Sequence, residues 1–162
     1  MVSTFARMEF KDYAALAPGV TETLAEIGAA IRTSGLDERL LELAKIRASQ
    51  INNCAQCLGV HLNAARNLGV DPQKLDLIAV WHETAIFDEK EAAVLAWTEL
   101  LSDLANSEIT DEDYQAIHTH FTGSEVAFLT AAIAQINFYN RLGVAYRFSP
   151  PQYRPAPTAT GE

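Results

Sequence analysis

Apolar residues along this chain recur at helical rather than alternating spacing. In "ERLLELAKIRASQI", Leu40, Leu41, Ala44, Ala48 and Ile51 form one stripe. Val, Ile and Thr are dispersed, and no run alternates as a half-buried strand would. The pattern predicts an all-α domain, and polar punctuation places its helices. One or two helices lie around Pro18 within 11–34, closing at Gly35. Asp37 caps the next, which Asn52 and Asn53 interrupt, because asparagine favours a cap over a helix interior. A helix from Cys54 to about Leu68 stops at Gly69. Asp71–Pro72 opens a short helix to about Trp81, and Asp88 opens "EKEAAVLAWTELLSDLA". Thr110 with Asp113 resembles a capping box and starts a helix to about Phe121. Ser124 starts the last, "EVAFLTAAIAQINFYNRLGVAYRF", which is apolar nearly all round. Such a helix is central in the fold or buried by another subunit.

Four of the six prolines crowd into 150–157, so residues 1–148 read as one compact domain and 149–162 as an extended or disordered arm. A chain of 162 residues, 49% hydrophobic, is long enough for a single core. A net charge of −9 argues against nucleic acid or an anionic membrane as partner. No stretch of membrane-spanning length or signal-peptide pattern is visible, and a cytoplasmic location is the expectation. In a reducing compartment a cysteine pair is more often redox-active or metal-binding than a structural staple.

Both cysteines lie in "INNCAQCLGVH", three apart, with His61 four residues beyond Cys57. Two cysteines placed at random in this chain would be so spaced about one time in a hundred. On a helix Cys54, Cys57 and His61 share one face with Leu58, Leu62 and Ala65. With Asn52 or Asn53 as cap, Cys54 falls in the first turn, where unpaired N–H groups favour a thiolate. The second thiol, one turn away, is placed to close a disulfide once the first is oxidised. Two other readings stand beside this one. The cysteines are small core residues, or Cys–x2–Cys–x3–His supplies three zinc ligands with a carboxylate as fourth. Read alone, Glu42 is a solvated glutamate paired with Lys45. His82 reads as partly exposed near a helix end, His118 and His120 as belonging to no site, and Trp81 and Trp97 as core or interface aromatics. Asn137 and Asn140, on the apolar last helix, need buried hydrogen-bond partners.

The stretch "ELAKIRASQINNCAQCLGVHLNAARNLGV" resembles the core motif of alkylhydroperoxidase D-type proteins, within the carboxymuconolactone decarboxylase-like superfamily. The motif runs Glu, eleven residues, Cys–x2–Cys, three residues, His, and is matched by Glu42, Cys54, Cys57 and His61 across 42–61. "WHETAIFDEKEAAVLAWTELL" and "INFYNRLGV" resemble the stretches downstream of the motif in peroxidase-like members, so the likeness spans roughly 37–147. One departure is Gln56, where some members place a second histidine between the cysteines. The resemblance implies six to eight helices, a trimer or hexamer, and a cofactor-free, metal-free thiol peroxidase or disulfide reductase. It implies Cys57 as the peroxidatic thiol, Cys54 as the resolving thiol and more open to the reductant, and Glu42 with His61 as a proton relay. The reductant would be a lipoyl or thioredoxin-like dithiol. The alternatives are a lactone-acid decarboxylase, which needs no dithiol, and a redox-sensing oligomer without significant turnover.

Overall fold

The computed structural model describes residues 5–154; the last eight residues of the proline-rich arm lie outside that span. Eight α-helices and no strand occur among the described residues. They are α1 (Phe10–Leu16), α2 (Val20–Arg32), α3 (Glu38–Ile51), α4 (Ala55–Asn67), α5 (Pro72–Leu77), α6 (Glu89–Ser102), α7 (Asp111–His118) and α8 (Gly123–Tyr146). The all-α expectation is met, and so are most of the caps. Asp37 accepts from Arg39 N, Asp71 from Gln73 N, and Asp88 exchanges bonds with Glu91 as a capping box.

Four boundaries differ from the sequence reading. Cys54, not an asparagine, is the N-cap of α4, and Asn53 turns the chain with φ 56°. After α5 the chain tightens into a 3₁₀ turn over Ile78–Glu83 rather than continuing as α-helix. Helix α7 ends at His118, three residues early. Helix α8 starts at Gly123, because Thr122 and Glu125 form its capping box ahead of Ser124.

Helix α3 lies at the centre. Its expected single stripe is in fact two faces. Leu41 and Ala44 meet α2, α6 and α8, whereas Leu43 and Ile46 meet α4, α5 and α6. Ile51 is only half-buried, and the polar Glu42 and Ser49 are buried instead. Helix α8 packs Leu129, Ala132, Ile133 and Ile136 inward but leaves Phe138 and Val144 exposed. Its buried amides are satisfied as their type demanded. Asn52 Nδ2 donates to Oδ1 of both Asn137 and Asn140, Asn140 Nδ2 to Ser49 Oγ, and Asn137 Nδ2 to Ser102 Oγ. This network ties the end of α3 to α8 immediately before the cysteines.

The first residues of the arm lie along α4. Asn63 donates from Nδ2 to Gln152 O at 2.8 Å and accepts from Arg154 N at 2.9 Å. Pro150 and Pro151 approach Gly59, and Arg66 sits over the Tyr153 ring.

Candidate active site

Cys54 and Cys57 are joined as a disulfide, with Cα atoms 5.4 Å apart. The link spans the first turn of α4, where Cys54 Sγ also accepts from Cys57 N at 3.3 Å. A thiolate on Cys54 would therefore meet an unpaired helical N–H directly, as a capping aspartate does. The pair packs against Ala48 of α3 and Ile136 of α8, with Tyr139 beside it. Leu58, Leu62 and Ala65 do not share these surroundings: they face α3, α5 and α6. The helix is thus wedged between two groups of neighbours, and the sulfurs mark its α8 side.

The expectation that Cys54 is the more open thiol is not met within the chain. Cys54 is 2% exposed and Cys57 3%. The cause is Gly143 on α8. A Cβ there would collide with Cys54 Sγ and stand 3.3 Å from Cys57 Sγ, so the missing side chain lets α8 lie directly on the disulfide. Cys57, by contrast, borders a cavity of about 330 Å³ lined by Phe10, Gln56, Val60, His61, Ile136, Tyr139 and Phe148. Gln56 Oε1 lies 3.6 Å from Cys57 Sγ, so the residue that departs from the motif touches the sulfur.

Glu42 and His61 come together across two helices. His61 Nδ1 is 2.7 Å from Glu42 Oε2, and Lys45 Nζ is 2.7 Å from Glu42 Oε1. Glu42 is only 7% exposed, so the solvated reading of this residue is overturned, although its expected Lys45 partner is present. Burial pushes the Glu42 carboxyl up, but the His61 hydrogen bond and the charges of His61 and Lys45 outweigh it and hold the pKa below the ordinary value. An ionised carboxylate only accepts hydrogen bonds, so His61 Nδ1 is the donor to Glu42, and Nε2 is the ring nitrogen left to exchange a proton. His61 lines the same cavity as Cys57. The four residues of the motif thus form one constellation: two sulfurs, a bordering imidazole, and a buried carboxylate that sets its tautomer.

The remaining histidines stand apart. His82 is stacked on Trp81 with its Nε2 3.5 Å from Glu99, and His118 meets the Tyr114 ring. No group of three or more metal-ligating side chains occurs among the described residues, and the sulfurs of the zinc alternative are spent on each other. Trp97 is buried and donates to Thr130 Oγ1.

Two residues at the site were not singled out from the sequence. Gly143 carries a readable signal, since an isolated glycine inside a long helix costs about 1 kcal/mol and implies close packing. Tyr139 is one aromatic among several on an apolar helix, with nothing local to mark it. Burial raises its phenol pKa, so it stays a neutral hydroxyl at the cavity wall.

Fold and site together define a helical protein of the alkylhydroperoxidase D-like type with a Cys–x2–Cys disulfide. The chain belongs to the carboxymuconolactone decarboxylase family, whose model matches residues 18–100. It is 29% identical over 133 residues to the uncharacterised protein YdfG of Bacillus subtilis (strain 168), covering 82% of this chain and 90% of that one. A crystal structure of ATU0492 from Agrobacterium tumefaciens, a protein of unknown function assigned to AhpD-type antioxidant defence, superposes with a TM-score of 0.84. It is 31% identical, covering 91% of this chain and 99% of that one. The debrominase Bmp8 shares the fold alone, at 18% identity and a TM-score of 0.73 over 83% of this chain and 72% of that one.

Proposed function

We propose that this protein reduces hydroperoxides through the Cys54–Cys57 pair, with His61 and Glu42 moving the protons and no cofactor. The fold does not select this chemistry, since Bmp8 has the same fold and a different activity. The reading is supported by a disulfide already closed across one helical turn, with Cys57 and a carboxylate-oriented histidine on the wall of one cavity. In the reduced protein His61 Nε2 takes the Cys57 proton. The thiolate attacks the terminal peroxide oxygen, the O–O bond breaks, and His61 returns the proton to the departing alkoxide, releasing an alcohol. Cys57 is left as a sulfenic acid. Cys54 attacks its sulfur, the S–O bond breaks, and the hydroxide leaves as water with the Cys54 proton. An external dithiol, lipoyl or thioredoxin-like, returns two electrons by exchange.

Cys57 is the attacking sulfur in this scheme because it borders the cavity, whereas Cys54 is pressed under Gly143. Thiol exchange therefore needs α8 and the first turn of α4 to part at least briefly. The exposed Phe138 on α8, together with Leu104, offers a surface for homo-oligomerisation, as trimer or hexamer, and light scattering at micromolar concentration reads the mass. The 1–148 domain carries all of this chemistry, and residues 150–154 lie against α4.

Steady-state consumption of cumene hydroperoxide with a dithiol donor tests the function. Turnover that Cys57→Ser abolishes, with far-UV dichroism unchanged, is the expected result. His61→Ala should slow it by about 10²–10⁴-fold, the usual contribution of a general acid–base. Undiminished turnover in Cys57→Ser would remove the mechanism.

A further inference from the structure

Three walls of the Cys57 cavity are shared. His61, Ile136 and Tyr139 also line a second cavity, of about 280 Å³, on the α2 side. The two differ in chemistry. The first is built largely from aromatic and aliphatic side chains, whereas the lining of the second includes Arg32, Lys45 and Gln135.

The two cations of the second cavity are not equivalent. Lys45 is neutralised by Glu42 at 2.7 Å. Arg32 has no carboxylate partner and makes no side-chain hydrogen bond among the described residues. Its position is kept open by Gly28, where a Cβ would stand 3.4 Å from Arg32 Nη1 and 3.3 Å from Gln135 Nε2. A guanidinium offers a planar fork of donors matched to a carboxylate, and one without an anionic partner attracts an anion locally, against the repulsion of a chain of net charge −9. Beside it Lys45 has donors left over after its single bond to Glu42.

We infer that the two cavities form one continuous site for an amphipathic substrate. The apolar body and reactive end lie at Cys57, and a carboxylate at the far end is held by Arg32 with support from Lys45. This rests on the peroxidase reading and narrows it to hydroperoxides that carry a carboxylate. The shared walls make His61 and Tyr139 the waist of the site, so the proton-moving group sits between the anchored end and the reacting end.

Binding can be measured without turnover. The probes are ω-hydroxycapric acid, an alcohol that mimics the product, and its methyl ester, which has the same body without the charge. Each is titrated calorimetrically into the disulfide form at low ionic strength. The acid should bind about ten-fold tighter than the ester, the contrast one charge-assisted hydrogen-bonded pair supplies, and the ratio should shrink with added salt. Arg32→Gln should bring the two ligands within about two-fold of each other, while Arg32→Lys keeps part of the difference. Arg32 is exposed, so neither variant threatens the fold, and thermal melts verify this. Equal affinities in the wild-type protein, an undiminished preference in Arg32→Gln, or no binding of either probe would overturn the inference. Acid preference that Arg32→Gln removes, in a protein that consumes no hydroperoxide, would uphold the carboxylate site while the peroxidase reading fails.

Discussion

At the residue scale, Glu42 carries the most consequence. It is buried, yet it stays ionised because His61 and Lys45 each place a hydrogen bond and a positive charge on it. Its folded pKa lies below the ordinary 4.5, so it contributes stability that is fully present above that value. The contribution is lost as pH falls through the lower, folded value. Glu42→Gln should therefore flatten the acid limb of a stability-against-pH curve below about pH 4.5, as denaturant midpoints would show. A limb of unchanged steepness would mean that the carboxylate is not held as described. Nothing in the residues around Glu42 signals this burial, and a glutamate three residues before a lysine reads as a surface pair. Only the spacing of the whole motif, from Glu42 through Cys54 and Cys57 to His61, sets it apart. The reason is that its environment comes from α4, nineteen residues further along the chain.

At the element scale, the close approach of α8 to α4 organises the site. Gly143 permits it, and Gly143→Ala would have to push α8 off the disulfide or strain it. Overpacking of this kind costs about 1–3 kcal/mol, a fall in Tm of roughly 2–12 °C for a domain this size. A calorimetric Tm within a degree of wild type would contradict the close contact. Most helix limits were legible because caps are local: Asp37, Asp71, Asp88 and Thr110 each bond to the first turn of the helix they open. The limits that moved depend on less local choices. Cys54 caps α4 through a sulfur, for which no cap preference exists to read, and α3 buries two faces because it is surrounded. Periodicity finds a stripe but cannot tell a helix at the edge of a bundle from one at its centre.

At the scale of the whole molecule, one chain brings a disulfide, a buried Glu42–His61 pair and two adjoining cavities together from α2, α3, α4 and α8. No helix among the described residues is long and apolar enough to cross a membrane. The disulfide connects these parts, and the most direct test is its formation on demand. Reduced protein is treated with one equivalent of hydroperoxide, alkylated, and weighed intact by mass spectrometry. The expected product is a chain lighter by two hydrogens that resists alkylation at both cysteines, while Cys54→Ser stops at one added oxygen on Cys57. A wild-type chain that gains oxygen without closing the bond, or that stays fully alkylatable, would contradict the redox cycle.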